Sequence, residues 1–349
     1  MKDTAKQAPK SGAEPGTKSG SADENMVPVT ILTGFLGAGK TTLLNRILQE
    51  QHGHRIAVIE NEFGEAGIDN EILVQNRDEQ IVEMNNGCIC CTVRGDLMRI
   101  LGELREKRNS GTLNFDRVII ETTGMADPGP VAQTFFLDDD IGGYYLLDSV
   151  ITLVDAKHAN KQLDDFREAQ EQVGFADRIL LSKTDLVGEA ETEALRTRLI
   201  RLNPRAPIKK VHFGNAPIDE ILDIRGFNLN AILEIDPTFL EDAEHEHDEH
   251  VGSFVFRSER PFDGVKLEEF LSSIIQVYGN DLLRYKGVLY LKGNARRVVF
   301  QGVHMLMGGD LGKAWGDQEK RESVMVFIGR NLPQDIIIQG LEQCLAKAQ

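Results

Sequence analysis

The sequence predicts an α/β fold with a mainly parallel sheet, followed by a smaller α+β C-terminal domain. Short β-branched runs alternate with helical stretches from Val27 to about residue 201, a pattern typical of βαβ units covered by helices on both faces. Segment 241–250 interrupts this pattern, because its six acidic residues and three histidines cannot enter a core. A chain of 349 residues is long enough for two domains.

The predicted boundaries follow these changes in composition. Residues 1–26 are rich in Lys, Ser, Gly and Pro, which predicts a disordered tail. The first domain is expected at 27–233, an acidic, His-containing linker at 234–250 and the second domain at 251–349. Strands are predicted at 27–33, 55–60, 117–121, 149–155, 177–182, 251–258, 287–293, 296–302 and 323–329, and helices near 40–50, 96–108, 164–173, 189–201, 265–278 and 334–346.

The charge and the cysteine pattern narrow the function classes. Lys and Arg number 39 against 55 Asp and Glu, so a net charge of -16 should repel nucleic acid and anionic membranes. No apolar run approaches the length of a membrane span, and the first 26 residues lack a secretory apolar stretch, so we expect a cytoplasmic protein. Three of the four cysteines lie within four positions, which favours metal or redox chemistry over a disulfide scaffold. Cys344 stands apart and is expected to pack in a terminal helix.

The segment TILTGFLGAGKTTLLNRIL contains the phosphate-loop spacing GxxxxGKT between an apolar strand and an amphipathic helix. Its backbone N–H groups and the helix N-terminus would hold phosphates, Lys40 would contact the β and γ phosphates, and Thr41 would supply an oxygen to magnesium. The alternative is a chance glycine-rich turn, which the flanking strand and helix disfavour.

Two further segments complete a predicted nucleotide site. Glu121 closes the strand RVIIE and can hold magnesium through water, and the N–H of Gly124 can contact the γ-phosphate, although Glu121 could instead be a solvated strand end. DRILLSKTD places Ser182, Lys183 and Asp185 where GTPases carry Asn-Lys-x-Asp, which predicts a guanine preference unless the segment is an ordinary turn. The predicted nucleotide-binding residues are Gly34, Gly37, Ala38, Gly39, Lys40, Thr41, Thr42, Gly124, Ser182, Lys183 and Asp185, with Lys40 and Glu121 as catalytic residues.

The segment NNGCICCTVRGDL at 85–97 predicts a metal site, because thiolates select soft metals such as zinc. A redox dithiol or buried inert thiols are the alternatives. The acidic segment 59–73 could sense magnesium or bind a second metal, or could be a solvated loop. His245, His247 and His250 could capture metal loosely, or could belong to a hydrophilic linker without a ligand role.

In their order, GFLGAGKTTLLN, ENEFGE, GCICC, ETTGMADP and SKTD resemble the CobW family of P-loop GTPases, in particular its YjiA-like zinc-binding members. The resemblance covers nearly the whole chain after residue 27 and implies a P-loop GTPase domain and a CobW-like C-terminal domain. It implies GTP or GDP, magnesium and zinc, with cobalt or nickel as other possible metals. The implied metal-binding residues are Thr41, Glu121, Cys88, Cys90, Cys91, Glu60 and Glu65.

The function expected from the resemblance is slow GTP hydrolysis by a zinc chaperone or insertase that delivers metal to a client metalloprotein. We expect no nucleic-acid or membrane partner, and a homo-oligomer is possible. Two alternatives are a nucleotide-regulated metal store or sensor and a small-molecule kinase, although a kinase has no use for clustered thiols. The group that orients the attacking water could be Glu60, Glu62 or a backbone group.

Overall fold

A computed structural model describes residues 26–50, 53–60, 80–83, 92–218, 221–224, 226, 250–316 and 319–347. These residues form a seven-stranded sheet and a five-stranded sheet. All described pairs in the first sheet are parallel, and all in the second are antiparallel. The predicted fold class is therefore confirmed.

The first sheet has the order β3-β2-β4-β1-β5-β6-β7. Strand β1 lies at its centre because its apolar side chains are buried on both faces, as expected for a parallel strand covered by helices. The strands are β1 (Val27–Gly34), β2 (Ile56–Glu60), β3 (Gln80–Glu83), β4 (Arg117–Glu121), β5 (Tyr145–Asp155), β6 (Arg178–Ser182) and β7 (Ile208–Lys210).

Two apolar clusters pack on opposite faces of this sheet. Val29 and Ile31 of β1 belong to one cluster, whereas the adjacent Leu32 belongs to the other, as the two-residue period of a strand requires. The helices between these strands are α1 (Lys40–Gln49), α2 (Thr92–Asn109), α3 (Gly129–Leu137), α4 (Asp139–Gly142), α5 (Ala159–Asp165), α6 (Arg167–Phe175) and α7 (Glu189–Leu202).

The second sheet has the order β11-β10-β9-β12-β8 and buries both of its faces. Met325 and Phe327 of β12 pack beneath the C-terminal helices, whereas Val326 and Ile328 join the core of the first domain. The sheet therefore lies between its own helices and helix α6. Its elements are β8 (Val251–Ser258), α8 (Gly264–Tyr278), β9 (Leu282–Leu289), β10 (Arg296–Val303), β11 (Leu306–Ala314), β12 (Ser323–Arg330) and α9 (Gln334–Gln343).

Most predicted elements lie within a few residues of the observed ones, and the differences have local causes. The helix expected near 164–173 is two helices, because Phe166 between α5 and α6 is extended. Strand β9 begins at Leu282, five residues before the predicted start. Cys344 is buried at the end of α9, close to the expected position. The prediction did not include β3, β7, β11, α3 or α4.

Within the described residues, no helix combines the length and the apolar character that crossing a bilayer demands.

Candidate nucleotide site

The candidate site lies where four neighbouring strands of the parallel sheet end. Their last residues are Gly34 of β1, Glu121 of β4, Asp155 of β5 and Ser182 of β6. Parallel pairing brings these ends to one edge, with Leu32 beside Glu121 and Asp155 beside Ser182. In open α/β sheets this carboxyl edge is the usual location of a ligand site.

The phosphate loop connects β1 to α1 in a conformation that requires glycine. Gly39 immediately precedes the helix with φ of 103°, a left-handed conformation that side chains with a Cβ disfavour. The Lys40 ammonium is buried and donates a 2.9 Å hydrogen bond to the carbonyl of Gly34 across the loop. Burial lowers the pKa of Lys40, and the Glu121 carboxylate partly opposes this shift. The predicted loop residues Gly34, Gly37, Ala38, Gly39, Lys40, Thr41 and Thr42 therefore lie together at the start of α1.

Two predicted magnesium-binding side chains meet directly beside this loop. The Thr41 hydroxyl donates a 2.9 Å hydrogen bond to Glu121 Oε1, across eighty positions of sequence. Next to Glu121, the Thr122 hydroxyl donates to Thr33 Oγ1 at 2.8 Å and so ties β4 to β1. A hydroxyl and a carboxylate are hard oxygen donors of the type that Mg²⁺ prefers, so this pair fits the ion.

The loop after β4 is packed against the phosphate loop at Gly124. A Cβ at Gly124 would lie 2.7 Å from Leu36 Cα, so no larger residue fits there without displacing the phosphate loop. The Gln172 side-chain amide of helix α6 donates to the carbonyls of Gly124 at 3.2 Å and of Ala126 at 3.0 Å. The position of Gly124 is thus fixed by the phosphate loop on one side and by helix α6, which packs against the second sheet, on the other.

Ser182 connects the predicted base-recognition segment to the phosphate loop. Its hydroxyl donates to the carbonyl of Ala38 at 2.7 Å and is 3.3 Å from the carbonyl of Val154. Serine in place of the usual asparagine therefore still provides a hydrogen-bond donor between the two loops.

Lys183 has a positive φ of 57° and donates a 2.7 Å hydrogen bond to Asp155 Oδ2. Asp155 also accepts hydrogen bonds from the backbone N–H of Lys157 and from the His158 ring, both at 2.9 Å. Although burial alone would raise the pKa of Asp155, the hydrogen bonds from Lys183 and His158 hold it below its ordinary value. The carboxylate thereby fixes where the aliphatic stem of Lys183 lies.

Asp185, the predicted guanine acceptor, is accessible and faces a second loop. Its Oδ1 is 3.4 Å from His212 Nδ1, and the His212 ring packs edge-on against Phe213 at 4.6 Å between centroids. Gly214 follows with φ of 71°, and a Cβ there would be 3.0 Å from Leu43 Cα of helix α1. The loop at 212–214 therefore lies between α1 and Asp185, with the Phe213 ring exposed to solvent.

The predicted metal-binding residues are only partly within the described chain. Glu60 is the last residue of β2 and is the register partner of Glu121, so it lies at the nucleotide edge. The other predicted ligands Cys88, Cys90, Cys91 and Glu65 fall outside the described residues, as do Glu62, His245 and His247. His250 directly precedes β8, and its ring contacts the Asn331 side chain at 3.2 Å. Within the ranges described, no group of three or more His, Cys, Asp or Glu side chains could hold a metal ion.

Sequence reasoning missed Asp155, Gln172 and His212. Asp155 closes an apolar strand just as Glu121 does, and that position was a usable signal for a role at the sheet edge. Gln172 and His212 carry no such signal, because Gln172 is one polar residue in a helix and His212 follows a three-residue strand.

Comparisons with known proteins agree with this geometry. Residues 28–210 match the family described as CobW/HypB/UreG, nucleotide-binding domain, and residues 251–345 match the cobalamin synthesis protein CobW C-terminal domain. The zinc chaperone YjiA of Escherichia coli (strain K12) is 46% identical over 314 residues, which cover 90% of this chain and 97% of that protein.

Solved structures of YjiA extend the likeness to three dimensions. The crystal structure of Zn(II)-bound YjiA GTPase from E. coli matches with a TM-score of 0.77 and 40% identity, covering 92% of this chain and all of the other. A Zn(II)-bound triple mutant of YjiA, in which one glutamate and two cysteines are replaced by alanine, matches with the same score and coverage. The chain belongs to the CobW/HypB/UreG family, in its CobW branch, as the order of its motifs predicts.

Proposed function

We propose that this protein hydrolyses GTP and uses the nucleotide state to control the binding of zinc and its delivery to a client metalloprotein. The observation that carries the proposal is the hydrogen bond between Thr41 and Glu121 beside the buried ammonium of Lys40. Phosphoryl transfer needs oxygen ligands for magnesium and a cation for the transferred phosphate, and these three groups would supply them.

In this proposal Lys40 binds the β and γ phosphates and offsets the charge that develops as the γ-phosphoryl leaves. Its present bond to the Gly34 carbonyl keeps the ammonium inside the loop, where phosphate oxygens would replace that carbonyl. Thr41 and Glu121 would hold magnesium, Thr41 directly and Glu121 through water. Magnesium, when bound, supplies positive charge to the phosphates.

Guanine recognition is assigned to Asp185, because a carboxylate can accept from both the N1–H and the exocyclic amine of guanine, whereas adenine lacks this donor pair. The side chain is accessible for that contact. The Lys183 stem, fixed by Asp155, would cover one face of the base.

Zinc binding is assigned to Cys88, Cys90 and Cys91, with Glu60 and Glu65 as further candidate ligands. Strand β3 ends at Glu83, whose register partner is Glu60, and Cys88 follows Glu83 by five positions. Glu83 therefore ends β3 at the sheet edge of the candidate nucleotide site, and this short separation in sequence supports a thiol site near that edge. The names of the YjiA relatives support zinc, and cobalt or nickel would compete for the same thiolates. Delivery to a client is proposed from the relative's name as a chaperone, and the cytoplasm is the proposed location.

The test is to titrate zinc into the full chain in three states: nucleotide-free, with GDP, and with a non-hydrolysable GTP analogue. We expect the zinc affinity to differ between the GDP and GTP-analogue states. Linkage requires that zinc change the affinity for the analogue by the same factor, so the reverse titration checks the result. Equal zinc affinities in all three states would contradict the control of zinc by nucleotide and favour a simple metal store.

Two serine variants distinguish zinc bound by the clustered thiols from zinc bound elsewhere. Replacing Cys88, Cys90 and Cys91 together with serine should remove the tightest zinc, and replacing the buried Cys344 with serine should not. The affinity should be measured in competition with a chelator, because the zinc-bound triple mutant of YjiA shows that zinc can occupy such a protein after two cysteines are lost. Unchanged tight binding in the triple serine variant would overturn the thiol assignment.

A further inference from the structure

A cavity of about 210 Å³ lies between the two sheets and away from the nucleotide edge. The first domain contributes Asp177 and Arg178 at the start of β6 and Arg205 after α7, and the second contributes Arg284 and Lys286 of β9. Because Arg178 begins the strand that Ser182 ends, about 13 Å of strand separates this cavity from the nucleotide site.

In the described lining of this cavity, basic side chains outnumber acidic ones. It contains the cationic side chains of Arg178, Arg205, Arg284 and Lys286 and the carboxylate of Asp177. Asp177 Oδ1 is 2.6 Å from Arg284 Nη2 and 2.8 Å from Lys286 Nζ, and its Oδ2 accepts from the backbone N–H of Val150 at 2.9 Å. Both oxygens of the carboxylate are therefore engaged.

Arg205 differs from Arg284 and Lys286, which both pair with Asp177. Among the residues that the structure describes, no ion pair joins its guanidinium to a carboxylate. Burial, reinforced by Arg284, lowers the pKa of Arg205 to about 10. The same two causes lower the pKa of Lys286 to about 7. An anion among these groups would oppose their mutual repulsion and raise both pKa values again.

We propose that this cavity binds a small tetrahedral oxyanion, with inorganic phosphate as its simplest representative. Guanidinium groups bind phosphate oxygens through paired hydrogen bonds, and here three guanidinium groups line one cavity. The volume is below the about 300 Å³ at which pockets begin to take drug-sized molecules, so a nucleotide does not fit. Because Arg205 belongs to the first domain and Arg284 to the second, the bound anion joins the two domains.

The experiment measures phosphate binding by calorimetry on the full chain carrying Lys40→Ala, which weakens phosphate binding in the nucleotide site. Chloride replaces phosphate at equal ionic strength in the reference titration, and sulfate is titrated as a second tetrahedral oxyanion. We expect phosphate and sulfate to bind with one site per chain and chloride to give no signal. Absence of phosphate binding, or an equal response to chloride, would overturn the proposal.

Arg205→Gln tests the location of the site, and Arg321→Gln, at an exposed arginine of the second domain, is its matched control. Loss of a charged hydrogen-bond donor should weaken phosphate binding about tenfold or more. The control should bind as the parent does. Arg205→Lys keeps the charge without the paired donors and should give an intermediate affinity, which provides a second reading if Arg205→Gln does not fold. Equal affinity in the folded Arg205 variants and the control would place the phosphate elsewhere and refute the assignment.

Discussion

The two ends of strand β6 are built on different principles. At its carboxyl end, Ser182 joins two loops through hydrogen bonds to backbone carbonyls, next to a phosphate loop whose shape depends on glycine. At its amino end, Asp177 of the first domain pairs with two buried cations of the second domain, Arg284 and Lys286. The structure of the carboxyl end therefore depends on backbone geometry within a local motif. The structure of the amino end depends on ion pairs between residues far apart in sequence. Substitutions at the carboxyl end should change GTP binding and hydrolysis, whereas substitutions at the amino end should change the free energy of unfolding.

The largest expected effect is at the nucleotide end. Lys40→Ala should lower kcat for GTP hydrolysis at least about 1000-fold, because it removes the cation that offsets charge on the transferring phosphoryl group. The measurement is single-turnover release of phosphate from GTP, with the thermal midpoint of unfolding as the control for folding. Residual turnover within tenfold of the parent would show that the buried ammonium does not act on the phosphates.

At the opposite end, Asp177→Asn should lower the free energy of unfolding by about 3 kcal/mol, because it leaves buried cations without their carboxylate. Denaturant unfolding measures this change. The affinity of the folded variant for GDP should stay within twofold of the parent, since the substitution lies at the other end of the strand. If Asp177→Asn greatly lowered GDP affinity and barely lowered stability, the two ends of β6 would not differ in the way proposed.

A smaller effect is expected for Ser182→Ala. Loss of its hydroxyl removes the hydrogen bond to the Ala38 carbonyl and should weaken GTP binding about tenfold. Ser182→Asn is the informative second variant, because the amide that GTPases usually carry here can donate to the same carbonyl. Fluorescent-nucleotide titration measures both. If alanine binds GTP as well as serine does, the link between the two loops is not needed for binding.

The smallest effect concerns pH. Burial, reinforced by Asp127, raises the pKa of Glu171 to about 7 despite its 2.8 Å ion pair with Arg330 of the second sheet. A folded-state pKa above the unfolded value gives stability that is present below the unfolded pKa and is lost as pH rises through about 7. The parent should therefore lose stability between pH 5 and pH 8 relative to Glu171→Gln. Unfolding free energies at both pH values measure the difference, and Glu191→Gln at an exposed site of α7 is the control.

The accuracy of the sequence-based prediction varied along the chain for physical reasons. The phosphate loop was predictable because its glycines, Lys40 and Thr41 act within eight consecutive residues. Strand β11 was missed because Gly308, Gly309 and Gly312 weaken the β-branched pattern that marks a strand. The contact between Gln172 and Gly124 spans 48 positions and follows from packing rather than from a local motif. The roles of the candidate site residues stay predictions until the variants are measured.

The place of β12 in the second sheet has a consequence for how the protein is made. It is the last strand in the chain, yet it pairs with both β8 and β9 and is what joins them. During synthesis, β12 follows β8 by about 70 residues. At typical translation rates of about 5–20 residues per second, β8 is therefore made several seconds before its partner strand. A chain that stops before Ser323 leaves an unpaired strand edge exposed, and such edges are sites of aggregation. Incomplete chains should therefore be targets for chaperones and proteases.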